Sequence, residues 1–138
     1  MKVRVSGTAI DHLLATPEIL RLLLAGVTEE QTQWKPTPES RSIAELLEHL
    51  SRAEGYSFRP RLEGNQEIDG GDKDAVSNVD AEEAFAHWEE QREDNMGYLQ
   101  NLDKGKVPRI RDLLNEWAGH DLSHIQQIAE LVRTCLYV

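Results

Sequence analysis

Cysteine is almost absent: the 138 residues hold a single one, Cys135, so no internal disulfide staples the chain. It occupies an apolar position near the end of the sequence, where it reads as a small buried hydrophobe. A reactive thiol would need a basic, exposed setting, and its neighbours offer none. Positive charge is also scarce, with 15 Lys and Arg against 25 Asp and Glu and a formal charge of −10. That field repels phosphate backbones and anionic lipid surfaces, so neither nucleic acid nor membrane is expected as a partner. No apolar run approaches the roughly 20 residues that cross a bilayer. The opening MKVRVSGTAIDHLL has no compact apolar stretch followed by a small-residue cleavage site, which makes the cytoplasm the expected location. Internal repeats, low-complexity tracts and two-residue apolar alternation are missing as well.

Apolar residues recur instead at spacings of three and four, the signature of helix. With 39% apolar and 29% charged residues, the composition suits one soluble domain over residues 1–138 with a single core. A first helix is expected over Thr8–Ala25, with Ile10, Leu13, Leu14, Leu20 and Leu24 inward. Pro17 should kink it or restart it with Thr16 as a new cap, and Gly26 should end it in a left-handed conformation. The connection VTEEQTQWKPTPESR leaves room for one helical turn after Thr28, and Trp34 and Pro36 should pack it down. Ser42 and Glu45 form a capping-box pattern at the start of the second helix, whose stripe is Ile43, Leu46, Leu47, Leu50 and Phe58. Pro60 lies near its end. A long polar connection, EGNQEIDGGDKDAVSNV, precedes a third helix capped by Asp80 and carrying Phe85, Trp88, Leu99 and Leu102. After DKGKVP, a fourth helix spans about Arg109–Leu136. Four helices and two longer connections predict an all-α four-helix bundle.

The last helix contains a contradiction. On a wheel of 100° per residue, Ile110, Leu113, Leu114, Trp117, Ile125, Ile128, Leu131, Val132 and Cys135 cluster on one side. His124 and Asp121 fall within that arc and His120 at its edge. Histidines four residues apart stack one above the other and can aim ring nitrogens at a common point. Buried polar groups need partners, and a divalent cation would serve both rings. Any third ligand must come from elsewhere, and only His12, His49 and His87 remain. His49 flanks the apolar stripe of the second helix, whereas His12 and His87 sit among polar neighbours and read as solvated. Asp121 follows His120 where a zinc protease would have Glu, and Glu-x-x-His of the di-iron bundles never occurs.

WKPTPESRSIAELLEHLSRAE followed by HDLSHIQQI resembles the DinB-like (YfiT-like) superfamily, in its tryptophan-proline loop, its S-I-x-E-L-x-x-H-L helix and its His-Asp-x-x-His-x-x-Gln-Ile helix. Motif order and helical layout agree over nearly the whole chain. The resemblance implies an up-down-down-up bundle that binds a divalent metal, commonly zinc or nickel, through three histidines near one end. Carried over position by position, these are His49, His120 and His124. Three histidine ligands leave a coordination position for water or substrate, as catalytic sites do. The resemblance further implies hydrolysis, or S-transfer using a low-molecular-weight thiol, on a small-molecule substrate, and a homodimer. The rival reading is a non-catalytic bundle, with or without metal, acting through protein association or in a stress response.

Further polar residues lie near this site. Asp121 either orients a ligand histidine or pairs with an arginine of another helix. Glu54, one turn beyond Leu50, is either a general base facing a cavity or a solvated carboxylate at a fraying end. Arg92 and Asn95 continue the inward series of the third helix, which marks a poorly buried face or a set of substrate contacts, the former being favoured. Gln127 matches the family motif but falls off the core arc, where a structural hydrogen bond is expected. Trp117 is expected in the core, and the run EEQRED on a solvated face.

Overall fold

A computed structural model describes residues 7–68 and 78–136. Among them the regular structure is entirely helical. Helix α1 (Thr8–Leu24) runs unbroken through Pro17, without the restart the sequence suggested. Proline has no N–H to give to the carbonyl four residues back, here that of Leu13. Arg92 Nη1 donates to that oxygen instead, at 3.0 Å, so the helix loses a donor of its own and gains one from a neighbour. Gly26 then turns the chain at φ +80°, a conformation open to a residue without Cβ.

Thr28 and Gln31 cap the short helix α2 (Glu29–Gln33) reciprocally. Ser42 and Glu45 do the same for α3 (Ile43–Ala53), as their spacing predicts. The second expected helix is not uniform: α3 passes into a π-helical turn at Glu54–Phe58 and then into α4 (Arg59–Leu62). Pro60 repeats the arrangement seen at Pro17. Four residues before it, the carbonyl of Tyr56 accepts from the Ile68 N–H at 2.8 Å. Part of the polar connection that follows, residues 69–77, lies outside the described residues. Asp80 caps α5 (Ala81–Gln100) by accepting from the Glu83 N–H at 3.1 Å. After Asp103, Lys104–Ile110 forms a 3-10 helix leading into α6 (Arg111–Cys135), which starts two residues later than the expected Arg109. No helix among the described residues is long and apolar enough to cross a membrane.

The long helices pack chiefly as α1 on α6 and α3 on α5. Between α3–α4 and α5, Ser51 meets His87 and Gln91, and Arg59 meets Asp94 and Asn95. Between α3–α4 and α6, His49 meets His124, Phe58 meets Trp117, and Arg61 meets Glu116. Arg21 of α1 pairs with Glu89 of α5. Trp34 packs against the core, as expected. Leu14, expected inward, is 37% exposed.

Apolar side chains gather in two clusters. One joins Leu20, Leu47, Leu50, Trp88, Ile128 and Cys135; the other joins Ile10, Leu13, Phe58, Met96, Leu99 and Trp117. Buried Thr16, Glu54, Arg92 and Asp121 fall between the two clusters on α1, α3–α4, α5 and α6 in turn. A polar layer therefore crosses the middle of the molecule.

Candidate metal centre

His49 stands near the middle of α3, and His120 and His124 stand one turn apart on α6. One ring nitrogen from each lies within 4.8 Å of the others. The Nε2 atoms of His120 and His124 are 3.1 Å apart, and the His49 ring centroid is 4.7 Å from that of His124 and 5.6 Å from that of His120. All three residues are part-buried. Phe58 meets His120 edge-on at 5.1 Å and is itself stacked on Trp117 at 5.1 Å. His12 and His87 stay exposed, as expected.

Burial and the neighbouring His124 and His49 rings push His120 down to about 4. Burial, followed by His49, lowers His124 as well, and Arg41 adds to the effect. Both rings are therefore held in the neutral form, whose lone pairs are what a cation requires. His124 Nδ1 lies 2.6 Å from Gln127 Oε1. An amide oxygen only accepts, so the hydrogen sits on Nδ1 and the Nε2 lone pair faces His120. Gln127 thus sets the tautomer from an exposed position that helical periodicity gave no reason to single out. With metal–nitrogen bonds of about 2.1 Å, tetrahedral ligand atoms sit roughly 3.4 Å apart. The His120–His124 pair is close to that spacing, and a donor set of three imidazoles fits a divalent ion.

Glu54 is not a solvated carboxylate: it is 1% exposed. Its oxygens accept from Arg92 Nε and Nη2 at 2.8 and 2.9 Å, from Asn95 Nδ2 at 2.9 Å and from Trp117 Nε1 at 3.3 Å. Nor do Arg92 and Asn95 mark a poorly buried face, being 1% and 3% exposed. Asp121 pairs with an arginine of another helix, accepting from Arg92 Nη1 and Nη2 at 2.7 and 2.9 Å. The Thr16 hydroxyl lies 2.8 Å from Asp121 Oδ2 and from the His12 carbonyl. Arg92 is held between the Trp88 and Trp117 rings, at 4.9 and 5.1 Å from their centroids, and its two carboxylates raise its affinity for the proton against the cost of burial. Helical spacing allows Asp121 an arginine of another helix, but it favours a poorly buried face for Arg92 and Asn95 and does not identify Arg92 as the partner of either carboxylate.

Cys135 is fully buried, its thiol is pushed up by that burial, and it donates to the Val132 carbonyl. The native protein should therefore resist an aromatic disulfide reagent until denaturant is added. Immediate stoichiometric labelling would place the thiol at the surface.

A cavity of about 470 Å³ between α1, α2 and α5, lined by Leu24, Val27, Leu47 and Phe85 among others, does not include the histidines. The cluster is instead a half-open site on the α3–α6 seam. No curated protein matches the chain. The family model of the DinB superfamily matches residues 12–128, a span that takes in all three histidines and the polar layer. The chain belongs to the DinB superfamily.

Proposed function

We propose that this protein is a metal-dependent enzyme, a hydrolase or low-molecular-weight-thiol S-transferase acting on a small molecule, with His49, His120 and His124 as the metal ligands. The observation that carries this reading is the convergence of three ring nitrogens at a part-exposed point. A divalent ion held there would promote ionisation of water or a thiol near neutral pH, or polarise an electrophile. His120 and His124 stay neutral through burial and leave their lone pairs available. Gln127 keeps His124 in the tautomer that points Nε2 inward. Phe58 covers the His120 side of the cluster against water. No carboxylate belongs to the ligand set, so the site favours an anionic substrate group or nucleophile, and Arg41 adds positive potential near His124.

Glu54 and Asp121 serve this site as fixed anions: Arg92 occupies oxygens of both, which leaves Glu54 ill-suited to shuttle protons. Cys135 lies eleven residues beyond His124, about 16 Å along the helix axis, too far to attack there. Water or an external thiol then supplies the nucleophile, and turnover should survive Cys135→Ser. Abolished turnover in that variant, with fold and metal retained, would be evidence against this mechanism. The primary experiment is metal analysis of protein purified without a polyhistidine tag, followed by a thiol-dependent substrate screen. Near one equivalent of zinc or nickel is expected, and protein that neither carries nor takes up a divalent ion would end the proposal.

The same reading includes a single four-helix domain over residues 1–138, located in the cytoplasm, with α1 up, α3–α4 and α5 down and α6 up. Contacts from Ser51–His87 to Arg59–Asp94 advance together along α3–α4 and α5, which supports a parallel pair. Those from His49–His124 to Arg61–Glu116 run oppositely, which supports an antiparallel one. We also propose a homodimer, supported by Ile19 and Leu22, which leave apolar surface exposed on α1. Sedimentation should give twice the chain mass, and a monomer at micromolar concentration would refute association.

A further inference from the structure

We propose that Arg92 is a positioning residue for the histidine cluster, fixing the register of α3 against α6 although its own helix contributes no histidine. This rests on the metal-centre reading above. The geometry is that of a bridge. Arg92 binds Glu54, five residues after His49, and Asp121, the residue directly after His120 on the other ligand-bearing helix. Each carboxylate is held by two guanidinium N–H groups, and paired bonds to a planar fork fix orientation as well as distance. A slide of α3 along α6 by one residue, about 1.5 Å, would break one of these pairs.

A second path leads to the same rings. Arg92 lies over Trp117, Trp117 stacks on Phe58 with an interplanar angle of 7°, and Phe58 meets His120 edge-on. The π-helical turn at Glu54–Phe58 supplies both contacts, directing Glu54 to Arg92 and Phe58 to His120. Gly55 in that turn leaves room for the Gln91 side chain of α5, whose Nε2 would lie 2.9 Å from a Cβ there. Apolar side chains alone would tolerate small slides between α3 and α6, because dispersion has no fixed direction. The buried bridge does not.

The test compares wild type with Arg92→Lys and Asp121→Asn, using zinc alone for affinity and cobalt(II) alone for the visible spectrum, well below each protein's unfolding temperature. Lysine keeps the charge but cannot hold two carboxylates in one plane. Both variants should keep cooperative unfolding, lose about tenfold to a hundredfold in zinc affinity, and show an altered cobalt spectrum. A purely structural role would lower the melting temperature and leave the affinity and spectrum of the folded protein unchanged, which would overturn the proposal. Should Arg92→Lys fail to fold, Asp121→Asn decides on the same readouts. Proton NMR contacts between the His49 and His124 rings, measured without metal, separate the two readings. If wild type binds no ion, the metal centre is wrong, while loss of those contacts in the variants still supports Arg92 and their retention refutes it.

Discussion

Arg92→Met should cost about 3–5 kcal/mol of folding stability at neutral pH, because removing one partner of a buried ion pair strands the other. Here it strands two carboxylates, on Glu54 and Asp121, which are 1% and 2% exposed. It also removes the donor to the Leu13 carbonyl, which Pro17 leaves without its helical partner. Asn95, Trp117 and Thr16 would remain as donors, too few to replace four guanidinium bonds. Denaturant titration of variant and wild type at pH 7 should show that gap. A gap below about 1 kcal/mol at pH 7, the ordinary scale of an exposed pair, would mean that the bridge is not buried in solution.

His124→Ala should reduce metal content from about one equivalent to near none while leaving helicity almost intact. Packing along the helices supplies most of their stability, and His124 is only part-buried at the edge of that packing. The loss should be nearly complete because His120 and His49 would then face each other across 5.6 Å of centroid separation, without the ring that now stands closer to each of them. His49→Ala should likewise abolish any metal-dependent turnover. Equilibrium dialysis with zinc and far-ultraviolet circular dichroism check the two halves of this expectation. Unchanged metal content in His124→Ala would remove that residue from the ligand set.

Local rules carried much of this protein into the sequence. Ser42–Glu45 and Asp80 declare helix starts through side chains that reach backbone N–H groups within three residues, so their effect needs no tertiary partner. The apolar spacing of α6 likewise fixed which face Trp117, Ile128 and Cys135 present to the interior. It also fixed the anomaly of His120, Asp121 and His124 near that face. The resemblance of HDLSHIQQI and the preceding histidine helix added which third histidine to join to the pair.

Elsewhere the outcome depended on contacts between residues far apart in the chain. Pro17 reads as a break, yet the helix continues because a guanidinium 75 positions later supplies the missing donor. Glu54 reads as the polar margin of one stripe, and Arg92 and Asn95 as that of another, because periodicity reports direction and not the neighbour reached. Only packing brings them together, with Asp121, in a layer between two apolar clusters. A charged side chain in isolation favours water over the interior, and the sequence could not show that these charges bury one another. The sequence by itself determined where the four main helical segments run and set His120 and His124 one turn apart on one of them, and the resemblance joined His49 to the pair. The tertiary structure decided that their nitrogens converge and what holds their helices in register, because a ring's direction is set by helices contacting across the fold rather than by the residues beside it.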